Sequence, residues 1–276
     1  MKRIVILTGA ELRHEFFRKT LASCPGIHVL SSYCENQEND LRSQVVASRE
    51  DRRLRVKHLN TRANSERLTF AETICIKTDT SNPIDLPRGT INSDQHVQSI
   101  IASCPDLVLA YGCSIIKKSL LSAFPDCFIN VHLGLSPYYR GSGTNFWPLV
   151  NGEPEYVGAT FMHIDSGIDT GDIIHQIRAE IVSGDTPSTI GNRLIKRMSL
   201  VAREIVVSFD TIVPMVQPLE PPDAKRYRSE DFTESSVTEL YENFKNGLVD
   251  RYLNEQVERC ARVPILSNPS LDRDCS

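Results

Sequence analysis

No stretch of this chain approaches the ~18 consecutive apolar residues that a transmembrane helix needs, so no membrane span is expected. Eight cysteines are present, yet none forms CxxC and no spacing matches a zinc pattern. Most lie among apolar neighbours, as Cys75 does between Ile74 and Ile76. They read as reduced thiols filling small core positions, with the cytoplasm as the default compartment. GxGxxG does not follow the first apolar run, which disfavours a nicotinamide enzyme. No sign of charge dominates either: the formal net charge of −4 makes no global case for nucleic acid or membrane binding. The opening MKRIVILTGA has too short an apolar run for a signal peptide. Charged ELRHEFFRK follows at once, so a first buried strand is expected there.

The 276 residues suit one large α/β unit with an appendage. Residues 2–9 are β-branched and continuous, ending at Gly9. Leu12, Phe16, Phe17 and Leu21 then share a helical face, Pro25-Gly26 stops the helix, and IHVLSSY resumes as a strand. This order predicts a doubly wound, mostly parallel sheet with helices on both faces. Further strands are expected at 106–112, 127–132, 157–164 and 172–181, and helices at 94–104 and 114–124. Phe146 to Val150 predicts a short helix. Thr186 as N-cap and Pro187 at the first helical position open another, to about residue 213.

Two stretches break the pattern. Between Arg42 and Arg67 stand eight Lys/Arg against three Asp/Glu, and 36–76 reads as an inserted basic helical segment. It is either a solvated face or a patch for a phosphorylated substrate. Residues 217–232 are Pro-rich and charged, as in a linker. A capping box at Ser236 and Glu239 then opens a helix carrying Val237, Leu240, Tyr241, Phe244 and Leu248. The expected division is a catalytic α/β domain at 1–215 and a linker with a small helical tail at 216–276.

Two clusters could carry chemistry. In FINVHLGLSPYYR (128–140), Asn130 and His132 leave the same face of a strand at its C-terminal end, where open α/β sheets bind ligands. In DSGIDTGD (165–172), three acids crowd one turn. The twelve-residue calcium-loop pattern fails there, leaving an Asp/Gly turn or a carboxylate that orients His132. His163 and His175 with Asp165 and Asp172 could be drawn as a metal site, but period-2 geometry splits them between faces, and no metal is expected. Cys113 and Cys127 are not read as nucleophiles. Phe146 and Trp147 belong to the helix core more readily than to a ligand stack.

Taken in order, AYGCSII (110–116), INVHLGLSPYYRGSGTNFWPL (129–149) and GATFMHIDSGIDTGDII (158–174) resemble the folate-dependent formyltransferase family. That family includes methionyl-tRNA formyltransferase, glycinamide ribonucleotide formyltransferase and the sugar N-formyltransferases. The motif likeness covers roughly residues 100–180, and strand order extends it to 1–213. It implies a formyltransferase-type Rossmann-like fold and 10-formyltetrahydrofolate as cosubstrate. It implies a catalytic set of Asn130, His132 and Asp169. It also implies a folate cradle at Ala110, Tyr111, Gly112, Cys113, Ser114, Ile115 and Ile116, closed by Asp165, Gly167 and Ile168. Where the family has H-x-S-L-L-P, this chain has H-L-G-L-S-P, so Gly134 and Ser136, with Arg140, are expected to meet the acceptor. The acceptor is expected to be a small primary amine, with a nucleotide-linked amino sugar as the favoured class. The tail is too short for the C-terminal domain of the tRNA enzyme, which counts against tRNA. Hydrolysis of the formyl-folate, a non-catalytic folate- or nucleotide-binding module and a basic-patch RNA binder are the competing readings. The oligomeric state is not legible.

Overall fold

The computed structural model describes residues 1–36, 53–165, 167 and 169–271. Seven strands form one sheet: β1 (Lys2–Gly9), β2 (Ile27–Asn36), β3 (Pro83–Pro87), β4 (Leu107–Tyr111), β5 (Phe128–His132), β7 (Gly158–His163) and β8 (Ile173–Arg178). Their order is β3-β2-β1-β4-β5-β7-β8. The first five run parallel, and β7 and β8 pair antiparallel. Helices α1 (Leu12–Ala22), α2 (Arg53–Ile76), α3 (Asp94–Ala102), α4 (Lys118–Leu121), α5 (Trp147–Val150), α6 (Pro187–Ser208), α7 (Glu234–Lys245) and α8 (Leu248–Arg262) surround it.

Strand periodicity builds the two layers. Along β1, Ile4 and Ile6 enter one core with Phe17 and Leu21 of α1 and Leu194 and Met198 of α6. Val5 and Leu7 point the other way, against Val97 and Ile100 of α3 and Leu120 of α4. The apolar stripe of α6 follows the helical period through Ile190, Leu194, Met198 and Ile205, all buried. Each such side chain contributes about 1.5–3 kcal/mol relative to exposure. Thr186 caps α6 by accepting from the Thr189 amide.

Several expectations need correction. Only Lys118–Leu121 of the 114–124 helix is helical; residues 114–117 form a loop bound to side chains elsewhere. The box opening α7 is Thr233 with Ser236, three residues before the expected one. The tail helix is two helices, because Gly247 at φ 78° ends the first and starts the second. Of the basic segment, residues 37–52 lie outside the described residues. Its remainder, α2, lies on α1 and α6 and buries Phe70 against Phe16, with ring centroids 4.6 Å apart. Strand β3 was not foreseen, since Pro83 and Pro87 at its ends mask an edge strand. Nor was the two-stranded sheet in which β6 (Tyr139–Gly141) pairs parallel with β9 (Lys225–Tyr227), inside the expected linker. Among the described residues no helix is long and apolar enough to cross a membrane.

Candidate active site

The C-terminal ends of β1, β4 and β5 open onto a cavity of about 1210 Å³. That exceeds the usual range for one small ligand and leaves room for two side by side. Asn130 and His132 project into it from β5, and Asp169 reaches it from the turn between β7 and β8. The turn carries Asp169 at φ 54°, a left-handed conformation that Asp tolerates better than most residues.

Asp169 joins the group together. Its Oδ1 accepts from Asn130 Nδ2 at 3.2 Å and lies 3.5 Å from His132 Nδ1. Its Oδ2 accepts from the Gly141 amide at 3.2 Å. His132 Nε2 sits 3.0 Å from the Tyr139 carbonyl, which can only accept, so Nε2 carries a hydrogen. Nδ1 is then the nitrogen turned towards Asp169 and Asn130.

The loop after β5 behaves differently from expectation. Gly134, Ser136 and Arg140 do not line the cavity. A Cβ at Gly134 would lie 2.5 Å from His132 Nε2 and 2.7 Å from Thr144 Cβ, so glycine serves close approach to the histidine. The Ser136 amide donates to Thr160 Oγ1, which donates to the Gly134 carbonyl and accepts from Gln176 Nε2. That hydroxyl is fully used, and it locks the loop behind the sheet. Arg140 is buried at 5% exposure; its guanidinium donates to Glu220 and Gln217. The guanidinium is thus engaged inside the protein, off the cavity lining.

The expected cradle does line the cavity, from Ala110 through Ile116, with Met162, Ile164, Asp165 and Gly167 opposite. Ile168 lies outside the described residues. Asp165 Oδ1 holds its turn by accepting from the Gly167 amide and Thr170 Oγ1 at 2.9 and 2.6 Å. Burial pushes the Cys113 thiol up to about 12, so it stays protonated at neutral pH. Phe146 and Trp147 both line the cavity as well as packing the core. His163 and His175 diverge: His163 lines the cavity, while His175 Nδ1 accepts from the Asn268 amide. Among the described residues no group of three or more His, Cys, Asp or Glu could hold a metal ion.

Residues outside the expected set also shape the site. His14, in the first turn of α1 just past the end of β1, is 2% exposed; Gly9 and Gly112 leave room for its ring. Its Nδ1 accepts from the Glu11 amide, and burial followed by nearby Arg13 and Arg18 holds its pKa well below 6.5. The topological rule for parallel sheets could have found it, since it follows the first strand directly. Arg13 and Arg62 border the same end, paired with Glu11 and Glu66. Much of the basic segment's charge there is thereby offset. Glu35, fully buried, accepts from the amides of Gly89, Ile91 and Ser114. No local signal marks it, because its partners are up to 79 residues away.

Residues 41–203 match the family model described as formyl transferase, which is more than half the chain. The chain belongs to the formyl transferase family. Methionyl-tRNA formyltransferase of Desulforamulus reducens is 43% identical over 88 residues, covering 32% of this chain and 27% of that protein. The same enzyme of Nitratiruptor is 32% identical over 139 residues, covering 49% and 45%. The chain thus matches less than half the length of these curated relatives. A 4-N formyltransferase from Francisella tularensis aligns over 87% of this chain and 86% of its own, at TM-score 0.54 and 18% identity. Glycinamide ribonucleotide transformylase 1 from Symbiobacterium toebii aligns over 78% and 94%, at TM-score 0.53 and 18% identity. These structural likenesses establish the fold.

Proposed function

We propose that this protein moves a formyl group from 10-formyltetrahydrofolate to a primary amine of a small acceptor, with Asn130, His132 and Asp169 as catalytic residues. The observation that carries this is the convergence of the three on one cavity, with Asp169 bridging the other two. The cavity suits the folate. One wall offers the backbone of 110–116, and Ile116, Met162 and Ile164 supply apolar surface. His163 Nδ1, buried beside them, has no hydrogen-bond partner among the described residues. The folate supplies the activated formyl group when bound. Asn130 keeps its second amide N–H for an oxygen that gains negative charge, and His132 Nδ1 lies beside it. Asp169 holds both side chains and is placed to take a proton from the attacking amine.

Arg13, Arg62, Arg88 and Arg228 also line the cavity, with Glu11 and Glu66. That lining favours a phosphorylated acceptor such as a nucleotide-linked amino sugar. The likeness to methionyl-tRNA formyltransferases over the core favours a second reading, in which the amine belongs to an aminoacyl-tRNA.

The test screens amines, nucleotide amino sugars and methionyl-tRNA with 10-formyltetrahydrofolate, following tetrahydrofolate release. His132→Ala is expected to lower turnover by roughly 10²–10³. Full turnover by that variant would refute the mechanism. Release without any amine would identify a hydrolase. Binding of no UDP- or dTDP-sugar would remove the nucleotide-sugar acceptor.

A further inference from the structure

Strand β6 has two edges with different duties. The backbone groups of alternate residues in a strand point to opposite sides. On one side, the Tyr139 carbonyl accepts from His132 Nε2 and the Gly141 amide donates to Asp169 Oδ2. On the other, the Tyr138 carbonyl accepts from the Lys225 amide and the Ser142 amide donates to the Tyr227 carbonyl, both at 2.8 Å. The segment that supplies those partners also reaches the second half of the site. Met215 and Ile173 exchange both amide hydrogen bonds at 2.7 Å, just after the Asp169 turn. Gln217 Nε2 donates to the Gly171 carbonyl at 3.0 Å, while its Oε1 accepts from Arg140. Glu220 accepts from the other arm of the same guanidinium.

Residues 215–227 therefore touch β6, which is bonded to His132 and Asp169, and the chain just after the Asp169 turn. The fit is close: a Cβ at Gly141 would lie 2.2 Å from the Tyr227 carbonyl oxygen. The far end is anchored by Tyr227, whose ring stacks on Trp147 with centroids 4.1 Å apart and planes 5° apart. Lys225 is anchored too, 2.7 Å from Glu153.

We propose that residues 215–227 are a positioning strap, with Arg140, Gln217 and Glu220 as its knot, that sets the orientation of His132 and the distance between β6 and the Asp169 turn. Arg140 holds two ligands in one plane, which lysine could not do. This rests on the reading of His132 and Asp169 as the reacting pair. The test needs no acceptor and so stands apart from that reading.

In the full chain carrying ¹⁵N-histidine, the His132 Nε2–H resonance is expected to exchange slowly with solvent. Glu220→Ala and Gln217→Ala, each removing one ligand of the knot, are expected to speed that exchange at least ~10-fold, the equivalent of one neutral hydrogen bond. Melting temperatures should stay close to the parent, since Glu220 is 43% exposed. Glu220→Gln, which can still accept from Arg140, should restore slow exchange. Unchanged His132 exchange in both alanine variants would overturn the strap. So would faster exchange that Glu220→Gln fails to restore, or faster exchange accompanied by a large fall in melting temperature.

Discussion

Gly134 shows how a single absent side chain can shape a reacting group. The departure from the family pattern, Gly in place of Ser after H-x, drew attention as a contact for the acceptor. The structure instead puts that position against the imidazole of His132 and the Cβ of Thr144. A methyl group there must move one of them. Gly134→Ala is expected to lower kcat for formyl transfer about 10²-fold, with a smaller change in KM, because a displacement near 1 Å suffices for such a loss. Steady-state kinetics with the amine found in the screen decide this. An alanine variant with parental kcat would show that His132 has slack. Asn130 and His132 were legible because two polar residues at period 2 stand out in an apolar strand. Asp169 was legible only as one acid among three. Its pairing with His132 depends on β7 returning antiparallel beside β5, which no local spacing encodes.

Among the elements, regular pieces were read more accurately than their connections. β1, α1 and α6 follow from periodicity and caps, because one face of each buries against a large core. The course of residues 114–117 did not follow, since side chains distant in sequence define it. Asn92 donates to the Ile115 carbonyl and accepts from the Lys117 amide, while Glu35 holds Ser114 from below. A buried carboxylate with three backbone donors replaces the helix that hydrophobic spacing suggested. Glu35→Gln keeps the shape but offers an NH₂ group to either Ser114 or Gly89. KM for the formyl donor is expected to rise roughly tenfold, in line with loss of one charge-assisted bond, with kcat less affected. A calorimetric Kd for tetrahydrofolate equal to that of the parent would remove Glu35 from the folate side. Residues 217–232 were misread for a related reason: proline and charge suggest a linker, but β6 offers them an open edge.

For the molecule as a whole, two buried histidines of the cavity lining tie stability to pH. Burial, assisted by Arg62, lowers His58 from the ordinary 6.5 to about 4, and Phe146, Phe232 and Tyr241 surround its ring. His14 is held low by burial and its arginine neighbours. As pH falls below 6.5 the unfolded chain takes up these protons first. The stabilisation from keeping them neutral is therefore complete above pH 6.5 and is lost as pH drops towards 4. For His58 it is on the order of 3 kcal/mol. Urea midpoints measured from pH 7 to 4.5 should fall steadily, and His58→Gln should flatten that slope. A slope unaltered by the substitution would place the titration elsewhere.

The partners in the Arg140 knot are 80 residues apart in the chain. A ribosome therefore delivers β5 and its loop well before it delivers the segment that braces them. During that interval the nascent polypeptide owns His132 and Asp169 but has no Glu220 or Tyr227 to hold their frame. On a vectorial synthesis schedule, that bracing segment is made only after every strand of the seven-stranded sheet.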